Sequence, residues 1–269
     1  MAGRFKDKVA LITGASSGIG AAVARQLARE GASVALLARR AEKLEMVRKE
    51  IEDAGGASVA CVADVTNDAS LNAAVSKVVQ KYGRLDIVLA NAGSGISGPI
   101  YKLDVDDFRR QFESNFFGVL NTIYATLPYL KESRGQLGLV GSVAGLIGTP
   151  DSSPYNASKF AIVGLAESIY YDLSRWGIAV TLINPGFVKS EIRHINNKGE
   201  LTNKPDPIPS WLVMPTEKAA DTIVNALYHK KPEVIVTFHG KVFFLLKRFL
   251  PGLIRWGIRR MTKGRLKPL

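Results

Sequence analysis

Three features of this 269-residue sequence predict an α/β fold, a single doubly wound domain with a seven-stranded parallel sheet flanked by helices. Short apolar runs alternate with amphipathic segments, each run is nearly continuous in hydrophobicity, and the first run leads straight into a glycine-rich turn. Continuous apolar runs suit strands covered on both faces, the habit of parallel strands joined by helices.

The strands are expected at Val9 to Thr13, Ser33 to Ala38, Ser58 to Ala63, Leu85 to Ala90, Gln136 to Gly141, Ala179 to Ile183 and Glu233 to Phe238. Helices are expected at 18–30, 41–54, 68–82, 104–131, 153–176 and 216–229. Residues 1–240 then form one domain. Within it, Phe187 to Pro215, rich in Asn, Pro and Lys, is too long for a simple connector and reads as a lid, with Ile208 and Trp211 available as an apolar wall. Residues 241–269 form an extension that Pro251 and Gly252 divide into two short helical pieces.

The formal charge of +12 is unevenly spread. Ten of the cations, against the single acid Glu233, lie in 231–269, which leaves +3 of the +12 for everything before. Any charged partner therefore meets the extension. There, Lys and Arg alternate with Phe243, Phe244, Leu246, Phe249, Leu250, Leu253, Ile254, Trp256 and Ile258. Two readings fit equally: peripheral contact with an anionic bilayer, or packing on the body or a second subunit. Nucleic acid is disfavoured as a partner, because the cations are interleaved with aliphatic residues more than with stacking aromatics. The apolar runs are far shorter than the ~18 residues of a membrane-crossing helix. One cysteine, Cys61, and no secretory stretch in the first residues point to a cytoplasmic setting. His194 has no ligand-spaced partners, so no metal site is expected.

After the first strand comes Thr13-Gly14-Ala15-Ser16-Ser17-Gly18-Ile19-Gly20 and then a helix, a Rossmann-like junction where glycines let a pyrophosphate approach the helix N-terminus. The second strand ends at Ala38, where an NAD-binding chain usually has an acid, and Arg39 and Arg40 follow. Two guanidiniums there suit a 2′-phosphate, so NADP(H) is the expected cofactor. Tyr155 and Lys159 share one helix face, and a neighbouring ammonium is expected to lower the phenol's pKa. Ser142 ends the fifth strand at the sheet's carboxyl edge, where ligands of such sheets bind.

These motifs, together with Asp64-Val65, Asn91-Ala92-Gly93 and Asn184-Pro185-Gly186, occur in the order in which they stand in the short-chain dehydrogenase/reductase family, which the chain resembles over roughly residues 5–240. The resemblance implies an alcohol–carbonyl oxidoreductase in which Tyr155 exchanges the proton, Ser142 holds the substrate oxygen, and Lys159 acts on Tyr155 and the nicotinamide ribose. It further implies that Asn115 anchors a water in the proton relay. Asp64 and Val65 would meet the adenine, Asn91, Ala92 and Gly93 would line the cofactor channel, and Pro185, Gly186, Val188 and Ser190 would border the nicotinamide. Two departures are mild: Ala90 stands where many relatives have Asn, and Ser190 where they have Thr. The substrate is expected to be an apolar or lipid-like alcohol or carbonyl, with Ser94, Ile96, Leu146, Phe187 and His194 either facing its pocket or serving as ordinary packing. A homodimer or homotetramer through 104–131 and 153–176 is implied. The rival readings are a non-catalytic dinucleotide-binding regulator and an NAD-dependent dehydrogenase of the same fold.

Overall fold

The computed structural model describes residues 3–197, 199–200, 202–203, 205–206 and 208–263. Seven strands form one parallel sheet: β1 Val9–Thr13, β2 Ser33–Ala38, β3 Ala57–Val62, β4 Ile87–Ala90, β5 Gln136–Val140, β6 Ala179–Asn184 and β7 Glu233–Ile235, in the order β3-β2-β1-β4-β5-β6-β7. Helices α1 Gly18–Arg29, α2 Ala41–Asp53 and α7 Thr216–Tyr228 cover one face. The other is covered by α3 Asp68–Tyr82, α5 Gly118–Ser133 and α6 Ser153–Ser174, and a short α4, Val105–Phe112, packs against α6. Two further helices, α8 Phe238–Phe249 and α9 Pro251–Lys263, follow β7.

Strand alternation divides the core. In β1, Ala10 and Ile12 face α1 and α7, whereas Val9 and Leu11 face α3 and α5. Both faces are dry, which is why the strands read as continuous apolar runs. The order in which strands are added reverses beside β1: β2 and β3 lie on one side of it and β4 to β7 on the other. The crevice at the carboxyl ends of β1 and β4 is the switch point where such sheets bind ligands.

Several expected bounds shift by a residue or two, and three differences have a visible cause. The strand expected from Leu85 begins at Ile87, because the buried Asp86 carboxylate accepts from Val9 N at 3.0 Å and pairs with Arg84 and Lys8. The strand expected to run to Phe238 ends at Ile235, since Thr237 accepts from Gly240 N as the cap of α8 and Phe238 is already helical. The single helix expected over 104–131 is two helices joined by a π-helical turn, Glu113–Phe117. Asp104 and Asp107 start it with a reciprocal capping box, and Arg134 in the left-handed region ends it.

Candidate functional site

At the carboxyl end of β1 the chain turns through Gly14 and Gly18, with φ of +67° and +56°. A Cβ on Gly14 would stand 2.9 Å from Ala92 Cα, so the turn can lie against the end of β4 only without one. Asn91 braces it from below: its Nδ2 donates to Thr13 O at 2.9 Å, while Thr13 Oγ1 accepts from Asn91 N and Ala92 N, both at 3.0 Å. Ser17 is extended, its side chain does not cap α1, and the first turn of α1 holds no acid. Helix-dipole and backbone N–H groups there fit a pyrophosphate, and Ile19 and Gly20 begin the helix behind it.

The two arginines behave differently. Arg40 donates to Ser16 Oγ at 3.0 Å and Ser17 Oγ at 2.7 Å, locking it to the glycine-rich turn. Arg39 is 76% exposed, with its nearest carboxylate, Asp64, at 3.7 Å. Burial pushes the Asp64 carboxyl up, but hydrogen bonds from Thr66 N and Thr66 Oγ1 and the charge of Arg39 outweigh that and hold it below its ordinary value. Val65 lies against Gly118, and its carbonyl accepts from Asn121 Nδ2 at 3.0 Å. The donor set fits an adenine dinucleotide: amides at a helix start, a carboxylate at the adenine end and guanidiniums beyond the ribose.

The chemical groups gather where β5 and β6 end. Ser142 follows Gly141; its amide donates to Asn184 Oδ1 at 3.1 Å and its hydroxyl accepts from Ala144 N at 3.1 Å. These bonds fix the side chain before Pro185, Gly186 and Val188 cross the same edge. Tyr155 and Lys159 lie in the first turns of α6, which Pro154 starts. Lys159 is 5% exposed and its ammonium donates to Val140 O at 2.8 Å. Burial pulls its pKa down to about 8.

The phenol of Tyr155 departs from expectation. Burial raises its pKa, and the opposing influences are the Ser142 hydroxyl and the charge of Arg193 rather than the Lys159 ammonium, whose Nζ lies 5.8 Å from the ring centroid. Desolvation outweighs both opposing influences at this buried ring. Motif spacing places two residues on one face but says nothing about how dry that face is.

Asn115 sits in the π-turn, fully buried. Its Oδ1 accepts from Ser94 N at 2.8 Å, and its Nδ2 donates to Ser94 O and Ser158 Oγ, both at 3.1 Å. Ser158 Oγ in turn donates to Tyr155 O at 2.8 Å. A Cβ on Gly93 would be 2.9 Å from Asn115 Oδ1 and 3.9 Å from Lys159 Nζ, so Gly93 borders the gap between them. The π-turn is what aims Asn115 inward, since a wide turn rotates one residue out of helical register. Ser158 and Asn121 were not given roles by sequence reasoning; small polar residues inside helical runs carry no periodic signal.

The segment expected to be a lid closes on itself. Lys189 N donates to Met214 O at 2.9 Å and Met214 N to Phe187 O at 2.8 Å, so its two ends are zipped. Between them a 3₁₀ turn, Glu191–His194, is capped by Ser190, whose hydroxyl accepts from Ile192 N at 3.0 Å. Ile192 packs over Gly95 beside the Tyr155 ring. Arg193 grips Asp206 with Nε at 2.9 Å and a terminal nitrogen at 2.6 Å. Of the expected apolar wall, Ile208 is half-buried, whereas Trp211 is 82% exposed and faces solvent. Ser94 and Ile96 engage Asn115 and Gln111 through their backbones. Helix α8 meets the rim: His239 accepts from Phe187 N at 3.0 Å and stacks on its ring, and Lys247 donates to Leu146 O. Cys61 is buried, and burial pushes its thiol up. Among the described residues no cluster of His, Cys, Asp and Glu could hold a metal, and no helix is long and apolar enough to cross a membrane.

Comparison with known proteins agrees with this geometry. The sequence profile described as short chain dehydrogenase matches residues 8–201. The chain is 34% identical over 261 residues to the 11-beta-hydroxysteroid dehydrogenase 1A of Arabidopsis thaliana, covering 94% of this chain and 74% of that protein. Among solved structures, a short chain dehydrogenase/reductase from Burkholderia phymatum in complex with NAD superposes with a TM-score of 0.82 at 26% identity, over 93% of this chain and 96% of that one. An alcohol dehydrogenase from the archaeon Thermococcus sibiricus, complexed with 5-hydroxy-NADP, gives 0.75 at 29% identity, over 85% and 95%.

Proposed function

We propose that this chain, which belongs to the short-chain dehydrogenase/reductase family and so is an oxidoreductase of the kind that binds NAD or NADP, interconverts an apolar alcohol and its ketone or aldehyde with NADP(H). The observation that carries the reading is the convergence of Ser142, Tyr155 and Lys159 on the carboxyl edge of β5, with Asn115 hydrogen-bonded behind them.

Ser142, its amide fixed by Asn184 and its hydroxyl turned to the cleft, holds the substrate oxygen. Tyr155 gives that oxygen a proton in reduction and takes it in oxidation. The raised pKa keeps the phenol protonated at neutral pH, which favours the reductive direction there. Lys159 carries positive charge below about 8, beside the place where oxyanion character develops. Asn115 and Ser158 tie the relay to the backbone of Tyr155 and Ser94. A nicotinamide held beside these residues would supply or accept the hydride. Gly14, Gly18, the start of α1, Asp64 and Val65 hold the rest of the dinucleotide, with Arg40 and Arg39 at the 2′-phosphate.

An apolar substrate is supported by the half-buried Leu146, Phe187 and Ile192 at the rim and by the hydroxysteroid dehydrogenase likeness. The extension supports the same choice. Phe249 is 71% and Trp256 59% exposed, with Leu245, Leu250 and Leu253 also open and Arg248, Arg255 and Arg260 among them. That combination complements an anionic bilayer, with rings at the interface and guanidiniums at the head groups. Exposed aromatic residues on α5 and α6, Tyr124 and Tyr171 among them, support a homo-oligomer through those helices.

The deciding measurement is NADPH oxidation with medium- and long-chain ketones and aldehydes, for the native protein and Tyr155→Phe, across pH. Native turnover is expected to hold through neutral pH and fall as Lys159 loses its proton above about 8. The variant should lose roughly 10³-fold while still binding NADPH. Tight NADPH binding with no turnover in either direction would instead make the chain a non-catalytic dinucleotide-binding regulator.

A further inference from the structure

Arg40 does more than a solvated arginine needs to do. Beyond its bonds to Ser16 and Ser17, it donates to Glu191 Oε2 at 2.7 Å. The second oxygen of Glu191 accepts from Lys43 Nζ at 2.5 Å. Two cations at the start of α2, one of them fixed by the hydroxyls of the glycine-rich turn, thus clamp a carboxylate supplied from across the cleft. Lys43 and then Arg40 hold that carboxyl down at about 2, so it is charged at any working pH. Glu191 is also the first residue of the lid's 3₁₀ turn. Ile192, which packs beside Tyr155, is next, and Arg193, whose charge acts on the phenol, follows. A single carboxylate therefore ties the outer end of the dinucleotide cleft to the cover of the chemical centre.

We propose that Glu191 is a specificity-determining residue, an internal anion on the Arg40–Lys43 pair that the 2′-phosphate of NADP(H) displaces and that NAD(H), lacking the phosphate, leaves in place. The proposal rests on the reading that Arg40 receives that phosphate. Two anions cannot share one pair of cations without repulsion, and a phosphate dianion with three acceptor oxygens outbids one carboxylate for a guanidinium. NADP(H) binding then frees the first turn of the lid, whereas NAD(H) binding leaves it tethered. The affinity of NADP(H) is lowered by the cost of breaking two partly exposed ion pairs.

The test is calorimetric binding of NADPH and NADH to the full chain as native protein, Glu191→Gln and Arg40→Ala, with amide hydrogen exchange across residues 188–197. Glu191→Gln should tighten NADPH about fivefold and leave NADH within about twofold, the scale of exposed ion pairs. In the native protein NADPH should speed exchange at 191–194 relative to NADH, and in Glu191→Gln that difference should vanish. If either half of this result is missing while Arg40→Ala still abolishes the preference for NADPH, the displacement idea is overturned and the phosphate reading stands. If Arg40→Ala leaves the preference unchanged, both fall.

Discussion

The relay behind Tyr155 and the segments that cover it are built from opposite materials. Asn115, Ser158, Lys159 and Asn184 are buried, and each bonds to backbone or to another buried side chain. The lid and the two last helices are held instead by partly exposed ion pairs, a stacked His239–Phe187 pair and a lysine on a carbonyl, and leave large apolar side chains in water. Buried polar networks tolerate one arrangement only, because each unmade bond carries its full desolvation cost. Surface ion pairs cost little to break and remake. On the proposed reading, chemistry that needs fixed distances sits on the first, and the parts that would meet different ligands sit on the second.

The largest expected effect follows from breaking the first. Asn115→Ala leaves Ser94 N without its acceptor and Ser158 Oγ without its donor around a fully buried position, at about 3 kcal/mol. Thermal unfolding should begin roughly 6–12 °C lower for a chain of this size. An unchanged midpoint would mean that the network is replaceable, and the contrast between the two regions would lose its basis.

Legibility in the sequence divides along the same line. The seven strands were readable because most of the sheet is covered on both faces, so hydrophobic runs marked them, although β4 starts later and β7 ends sooner than the runs suggest. The placement of Gly14, Gly18, Ser142, Tyr155 and Lys159 at the sheet's carboxyl edge was readable because strand and helix ends fix where such residues go. What escaped depended on side chains meeting from distant parts of the chain. Nothing in the residues near Asn115 announces a π-turn, since Glu113-Ser-Asn-Phe-Phe117 has no Pro or Gly to interrupt a helix. Glu191 and Arg40 are 151 positions apart, and an acid in a polar loop has no period to betray its partner. The pKa of Tyr155 was misjudged for the same reason, since burial is a property of packing rather than of spacing.

A smaller effect is expected at the extension, and it sharpens the comparison by asking what its open surface is for. Native protein should bind vesicles containing phosphatidylserine better than neutral ones, and salt should weaken that binding. Replacing Phe249 and Trp256 together by Glu removes two exposed rings and lowers the positive charge around them, and should weaken vesicle binding by at least about tenfold. Both residues lie away from the chemical groups, so turnover of a short-chain carbonyl should stay within about twofold. Equal binding to neutral and anionic vesicles would remove the charge argument. No binding to either would return these helices to packing on a second subunit.

The smallest effect is expected at Arg193, where the two materials meet. Its pair with Asp206 is partly exposed, so Arg193→Met should cost no more than about 1 kcal/mol in denaturant unfolding. Its charge nevertheless lowers the phenol's pKa, against a larger push upward from burial. Removing the charge lets burial act unopposed by it and raises the phenol further. At neutral pH the phenol is already protonated, so reductive turnover should change less than about twofold. Oxidation needs the phenolate, and its pH–rate profile should move to higher pH. A lid residue with a purely structural role would shift KM in both directions and leave that profile where it was; only an electrostatic role separates the two directions of one reaction.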